Sequence, residues 1–300
     1  MGSLSGQKEG DGLILALSGG GVRGFAHLGA LRVMRDAGIK IAGLSGSSAG
    51  AYAAASYAFG LPLEVKPLLE HVINRKLSDL FMQSSSRLRR LAKMPASLYR
   101  ALRDPAIDDA QQLREGLLEY FGEVRIEESP LPLALNAADL YTGEVVILRE
   151  GLLVDAILAS SAIPGIFPPV PWGERLLVDG DVVEKVPVTA ARSLGPNPVV
   201  GVDASNPLRV HKPRNSLEVL LMASEASILR LKALALQRCD YVLSLVPPEQ
   251  IDTFDYSRSC SVYRLGIERT EAALEDLRAL SKQRGGLFGW LKQVTQGGQK

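Results

Sequence analysis

The sequence contains very little cysteine and histidine, the residue types that most often reveal a metal or redox site. Its two cysteines, Cys239 and Cys260, are far apart, with no CxxC spacing and no neighbouring histidine. A zinc site or a disulfide framework is therefore not expected, and both cysteines are predicted to be free thiols in a reducing compartment.

An excess of charge of one sign and long apolar runs are also missing. Lysine and arginine total 34 and aspartate and glutamate 33, so the net charge of +1 gives no indication of nucleic-acid binding. No run approaches the roughly 20 apolar residues of a membrane span, and the run at 13–17 is too short for a signal-peptide core. These two absences predict a cytoplasmic location. Because 46% of the residues are hydrophobic, we expect a sizeable buried core.

Apolar runs and helical patterns alternate along the chain. LILAL at 13–17 and IKIAGLSG at 39–46 are typical of buried parallel strands, and helical patterns follow them at 25–37 and 49–59. This β-α-β-α order predicts an α/β sheet. The remaining strand patterns lie at 132–138, 144–149, 175–180, 198–205 and 239–246, and the remaining long helical patterns at 217–237 and 261–284.

The chain shows no internal repeat and no obvious linker. We therefore expect one domain over 13–284, with a flexible N-terminus at 1–12 and a C-terminal tail at 285–300. Residues 75–108 carry many cations and few acids, and they predict two short basic amphipathic helices over the sheet. This basic insert is interpreted as a lid, as a contact with an anionic membrane, or as a solvated face.

A second candidate for contact with a membrane lies near the end of the chain. Phe288, Trp290 and Leu291 stand beside basic residues in the tail. Aromatic and basic side chains together fit a segment that lies in a membrane interface. The alternative interpretation is a frayed end.

Glycines follow the first predicted strand in the pattern GxGxxG, at Gly19, Gly21 and Gly24. Such a loop suits a dinucleotide phosphate, but that site also requires an acid at the end of the second strand. The chain has Gly-Leu-Ser-Gly there, at 43–46. A phosphate-binding P-loop is also disfavoured, because the GK[ST] ending is missing.

The sequence GSSAG at 46–50 lies between a predicted strand and a predicted helix. Small residues on both sides of Ser48 allow the sharp turn that exposes a nucleophilic serine, although a simple turn of small residues is the alternative. Parallel neighbouring strands place their loops side by side. The N–H groups of Gly20 and Gly21 would then donate to the oxyanion formed when Ser48 attacks a carbonyl.

A serine nucleophile needs a proton acceptor, and the sequence offers two kinds. His211 follows a strand and would give the order Ser-Asp-His, but hydrolases with that order build several strands before the nucleophile. His27 and His71 lie in predicted helices. Asp179, at the end of an apolar strand, would have a raised pKa if shielded from water and would act as the base; otherwise it belongs to a plain Asp-Gly turn.

The combination of these motifs resembles the patatin-like phospholipases, in particular their compact bacterial branch. The resemblance extends from about Leu13 to Val246. It rests on the following segments: GGGVRG at 19–24, GSSAG at 46–50, LNAADLYTGE at 135–144, SSAIPGIFPPV at 160–170 and DGD at 179–181.

The resemblance implies a Ser-Asp dyad without histidine, in which Ser48 is the nucleophile and Asp179 the base. It also implies an oxyanion site of Gly20 and Gly21 with Arg23 nearby. The implied fold is a three-layer α/β/α sandwich around a mainly parallel sheet. The implied reaction is hydrolysis of fatty-acyl esters of phospholipids or lysophospholipids through an acyl-serine, without metal or cofactor. The matching elbow and motif glycines are Gly19, Gly24, Gly46, Gly50 and Gly180.

One position departs from the family pattern, which has Gly or Ala where this chain has Asp181. A second carboxylate there would raise the pKa of Asp179, point to solvent, or mark reduced activity. Two other functions stay open. One is a general carboxylesterase or acyltransferase with the same dyad, and the other is a lipid-binding regulatory protein with a weakened site.

Overall fold

The computed structural model describes residues 12–71, 106, 109–207 and 212–282. Most of the predicted basic insert lies outside these residues. So do nearly all of the predicted N-terminus, the tail at 285–300 and His211.

A sheet of eight strands forms the centre of the described part of the chain. Its order is β5-β6-β3-β2-β1-β7-β8, with β4 paired to β3. The five neighbouring strands β3, β2, β1, β7 and β8 are parallel to one another, and β4, β5 and β6 join the sheet in antiparallel pairs. The strands are β1 Leu13–Leu17, β2 Ile41–Gly46, β3 Leu133–Asp139, β4 Val145–Leu148, β5 Val170–Trp172, β6 Arg175–Asp179, β7 Val199–Asp203 and β8 Tyr241–Ser244.

Helices cover both faces of this sheet. Alternate residues of β1 pack into two separate cores: Leu15 joins the larger core, and Ile14 joins the smaller one with Val188 and Ala235. The predicted three-layer α/β/α sandwich is therefore confirmed. The helices are α1 Phe25–Asp36, α2 Ala49–Ala58, α3 Val65–His71, α4 Gln111–Phe121, α5 Leu153–Ser160, α6 Asp181–Glu184, α7 Val188–Arg192, α8 Ser216–Leu236, α9 Ser259–Ala272 and α10 Leu274–Ser281.

The predicted strands and the first helices are confirmed to within a few residues, but the helix predicted at 261–284 is interrupted. Ala273 leaves the helical conformation, with φ −98° and ψ 2°, and separates α9 from α10. The turn redirects the chain so that Leu277 is fully buried in the larger core. The short elements β5, α6 and α7, and the helices α4 and α5, were not predicted.

β2 and β6 lie end to end along the same edge of β3, and β4 pairs with the opposite edge. β2 follows β3 as far as Leu135, which pairs with Gly46, whereas β6 runs in the opposite direction and ends with Asp179 beside Ala137. The carboxyl ends of β2 and β6 therefore face each other across Asn136. This topology brings the residues after Gly46 next to Asp179.

Candidate active site

Ser48 occupies a strained turn between β2 and α2. Its φ of 48° and ψ of −120° are unusual for a residue with a side chain, and such strain is maintained only where the surroundings enforce it. Gly46 and Gly50 make the turn possible, because a Cβ on either one would collide with neighbouring backbone, including the Leu17 carbonyl. The backbone N–H of Ser48 donates to the Ser160 carbonyl at 3.1 Å.

The Ser48 hydroxyl donates to Asp179, with 2.7 Å between Oγ and Oδ2. The other carboxylate oxygen, Oδ1, accepts the backbone N–H of Asp181 at 2.9 Å. Burial and the neighbouring carboxylate of Asp181 raise the pKa of Asp179 to about 8, although these hydrogen bonds and the charge of Lys185 act in the opposite direction. A carboxylate with such a pKa is suited to take a proton from a hydroxyl near neutral pH.

The glycine loop after β1 lies beside this pair. Gly21, with φ 58°, lines the same cleft as Ser48. The N–H groups of Gly20 and Gly21 have no hydrogen-bond acceptor among the described residues, whereas the next N–H, of Val22, donates to the Thr253 carbonyl at 2.9 Å. Free amide donors are the groups that an oxyanion site needs, and the predicted role of Gly20 and Gly21 in such a site stays a prediction.

The remaining motif glycines allow close packing around the site. A Cβ on Gly24 would collide with Ala49, the first residue of α2, and one on Gly180 would collide with the Asn136 side chain. A Cβ on Gly19 would collide with the carboxylate of Asp181. These glycines therefore set the distances between the loop, the elbow and the end of β6.

Arg23 is buried, but its side chain is directed to a distant segment of the chain. Its Nη1 donates to the Ile251 carbonyl at 2.6 Å, and its Nε has no partner among the described residues. Burial lowers the pKa of Arg23, whereas the nearby carboxylates of Asp181 and Asp252 oppose that change. Arg23 thus fastens the segment after β8 to the glycine loop, and its predicted part in oxyanion binding stays a prediction.

Neither histidine of the described residues contacts Ser48. The Nε2 of His27 donates to the Ser18 carbonyl at 2.9 Å, and burial lowers the pKa of His27 to about 4, so the ring is neutral. His71 lies 3.5 Å from Glu119. No group of three or more His, Cys, Asp or Glu side chains that could hold a metal ion occurs in the described part of the chain.

Ser48 lines an apolar cleft together with residues from several elements. The sequence did not predict most of the residues that line it. Phe254 and Tyr256 come from the segment after β8, and no local pattern connects that segment with the elbow. Leu28, Tyr52, Ala53, Leu68, Leu113, Ser161, Ile163, Phe167, Phe254 and Tyr256 are among the lining residues.

A sequence model of the patatin-like phospholipase family matches residues 15–192, more than half of the chain. The chain belongs to the patatin-like phospholipase family. The match includes the glycine loop, the elbow and the carboxyl end of β6. No helix among the described residues of this patatin-like protein is long and apolar enough to cross a membrane.

Several proteins and solved structures are similar to this chain. A Mycobacterium tuberculosis protein named as an uncharacterized NTE family protein is 32% identical over 190 residues, which cover 63% of this chain and 46% of that protein. Lysophospholipase NTE1 of Saccharomyces cerevisiae is 24% identical over 305 residues, or 91% of this chain and 17% of the yeast protein. The chain thus spans less than half the length of these relatives. VipD from Legionella pneumophila has a TM-score of 0.49 and 15% identity, covering 90% of this chain and 67% of VipD.

Proposed function

We propose that this patatin-like protein is a serine acyl hydrolase that cleaves fatty-acyl esters of phospholipids or lysophospholipids. The observation that carries the proposal is the 2.7 Å hydrogen bond from Ser48 Oγ to the buried Asp179. A strained serine, a carboxylate with a raised pKa and two free backbone amides provide the nucleophile, base and oxyanion donors of acyl transfer.

The reaction follows from these positions in two halves. Ser48 Oγ attacks the ester carbonyl carbon as its proton passes to Asp179, and the carbonyl oxygen takes the negative charge beside the Gly20 and Gly21 amides. Collapse breaks the bond to the alcohol, which leaves with the proton from Asp179. A water then attacks the acyl-serine, giving its proton to Asp179, and collapse returns that proton to Ser48 and releases the fatty acid.

The cleft supports a fatty acyl chain as the group transferred. Its described lining is mostly aliphatic and aromatic, and Ser48 is part of that lining. Burial of a hydrocarbon chain contributes about 0.8 kcal/mol for each CH₂ group. The yeast relative is named a lysophospholipase, and this name supports the same substrate class here.

The direct test compares Ser48→Ala, Asp179→Asn and a control, Ser56→Ala, on phosphatidylcholine and lysophosphatidylcholine. Ser56 is a buried serine on α2, the helix that follows Ser48, and its hydroxyl donates to the Tyr52 carbonyl. We expect Ser48→Ala to lower hydrolysis at least about 10³-fold and Asp179→Asn about 10²- to 10⁴-fold, with little change in Ser56→Ala. Wild-type activity retained in Ser48→Ala would contradict the proposal.

A general carboxylesterase or acyltransferase would use the same dyad. Comparing nitrophenyl esters of short and long chains separates these functions, because a lipid hydrolase should have the higher kcat/KM on the long chain. Adding an alcohol acceptor would reveal acyl transfer as a new ester. A lipid-binding protein with a weakened site would give equal background rates in wild type and Ser48→Ala.

We also propose a peripheral contact with an anionic membrane on the side where Ser48 lies. β3 and β7 run parallel to β2, so the segments after them begin at the same end of the sheet as Ser48. Exposed apolar side chains occur in both segments: Leu140 and Tyr141 after β3, and Val219, Leu220 and Leu221 in the first half of α8. They would add to the predicted contribution of the basic insert.

Co-sedimentation with phosphatidylcholine vesicles, with and without phosphatidylglycerol, tests this contact. Leu220→Ser with Leu221→Ser should weaken binding to both vesicles, and reversal of Arg87, Arg89 and Arg90 should weaken only the anionic case. Leu234→Ser, at the other end of α8, is the control. Unchanged binding in all variants would contradict the contact.

The free thiols of Cys239 and Cys260 support the proposed cytoplasmic location.

A further inference from the structure

Asp181 is held by contacts to three separate parts of the site. Its Oδ1 accepts the Ser47 hydroxyl at 3.0 Å, next to the nucleophile. Its Oδ2 forms an ion pair with the Lys185 ammonium, one turn further along the chain. Its backbone N–H donates to Asp179. The side chains of Asp181 and Lys185 are only 18% and 13% exposed, so neither simply points to solvent.

The glycine loop is shaped around this pair. Only a residue without a side chain fits at Gly19, because a Cβ there would occupy the position of the Asp181 carboxylate. The Gly19 N–H donates to the Lys185 carbonyl at 3.1 Å. Asp181 and Lys185 therefore hold the start of the loop that carries the Gly20 and Gly21 amides.

The two charges act on Asp179 in opposite directions. A neighbouring carboxylate disfavours the charged form of an acid, and a neighbouring ammonium favours it. Asp181 raises the pKa of Asp179 and Lys185 lowers it. Because both side chains are largely shielded from water, their effects are screened less than those of surface charges.

We propose that Asp181 and Lys185 are positioning residues of the dyad, and that their opposed charges set the pH range in which Asp179 accepts the Ser48 proton. The proposal rests on the proposed function and extends it to the regulation of the same site. Asp181 acts through Asp179 and the glycine loop, without contact to the reacting ester.

Three further ionisable side chains of the described residues interact with Asp181 or Asp179, and none of the three changes charge near neutral pH. Arg23 of the glycine loop and His27 of α1 are within electrostatic range of Asp181, and Tyr52 of α2 is within range of Asp179. The pKa of His27 is about 4 and that of Tyr52 about 12, so both are neutral between these values. Arg23 carries a positive charge throughout.

The test measures kcat/KM against pH for Asp181→Asn, Lys185→Met and their double variant on a water-soluble nitrophenyl ester. Asp181→Asn keeps the side-chain size and an acceptor for Ser47. We expect it to move the inflection of the profile about one pH unit toward acid. Lys185→Met should move it by a similar amount toward alkali, and the double variant should lie between the two. Lys185→Arg keeps the charge and should retain the wild-type profile.

Two further measurements separate the possible failures. Thermal unfolding identifies any variant that does not fold. If Asp181→Asn does not fold, the comparison of the pH profiles of Lys185→Met and Lys185→Arg still tests the proposal. Shifts of both single variants in the same direction, or unshifted profiles in active variants, would overturn this proposal alone. Wild-type protein with neither hydrolysis nor labelling of Ser48 by a fluorophosphonate would overturn the proposed function, and this proposal with it.

Discussion

Single glycines decide how closely the three chain segments of the candidate site approach one another. Gly19, Gly24 and Gly180 each face a group that a Cβ would strike, respectively Asp181, Ala49 and Asn136. A protein interior packed at this density accommodates an added methyl group only by moving backbone. The site should therefore be sensitive to changes far smaller than loss of a catalytic group.

Gly19→Ala tests this sensitivity. The added methyl group should displace the Asp181 carboxylate or the glycine loop and lower kcat/KM at least about tenfold, the factor for each ~1.4 kcal/mol of transition-state stabilisation lost. The matched control is Gly195→Ala, where the nearest side-chain atom would be 3.6 Å from the new Cβ, an ordinary contact. Equal kinetics in the two variants would show that the Gly19 contact is unimportant.

At the scale of elements, α1 carries the glycine loop at its start and is held by its crossing with α9. The two helices approach with backbone against backbone, because a Cβ on Gly29 would strike the Tyr263 carbonyl and one on Gly266 would strike the Ala26 carbonyl. Small residues at a crossing allow such an approach. The position of the loop therefore depends on a helix that contributes neither Ser48 nor Asp179.

Gly266→Ala tests this crossing through the sign of its effect on the free energy of unfolding. In a helix free of such contacts, alanine would stabilise by about 1 kcal/mol relative to glycine. Here we expect destabilisation of about 1–3 kcal/mol, since the methyl group must separate α9 from α1. Urea unfolding monitored by circular dichroism measures the difference, and a more stable variant would contradict the crossing.

At the scale of the whole molecule, buried ionisable groups connect stability with pH. The pKa of Asp179 rises from its ordinary 3.8 to about 8 on folding, so its contribution is full below about 4 and is lost as pH rises to 8. The pKa of His27 falls from 6.5 to about 4, so its contribution is full above 6.5 and is lost as pH falls to 4. The two effects oppose each other between about 4 and 6.5.

Asp179→Asn isolates the contribution of this buried carboxyl group. Relative to wild type, the variant should gain stability as pH rises from about 4 to 8, by at most ~1.4 kcal/mol per pH unit. The gain arises because wild type must take up a proton on Asp179 when it folds in this range, which becomes less favourable as pH rises, whereas the variant binds no proton there. Urea unfolding of both proteins across this range measures it, and parallel stability curves would show that the Asp179 pKa is not raised.

The sequence by itself determined the local features of this protein. Strand and helix patterns around the glycine loop and GSSAG depend on neighbouring residues, and these elements were predicted to within a few residues. The motifs carried the family resemblance for the same reason, because each lies within one short segment. The broken helix at Ala273 was missed, since burial of Leu277 depends on distant residues.

Only the tertiary structure decided which groups surround Ser48. The antiparallel course of β6 along β3 brings Asp179 to the Ser48 hydroxyl, whereas His211, the other base that the sequence leaves open, lies outside the described residues. The same holds for Phe254 and Tyr256 in the cleft and for the inward direction of Asp181. The physical reason is that these contacts join residues far apart in the chain, and their energies depend on packing and burial that no local pattern encodes.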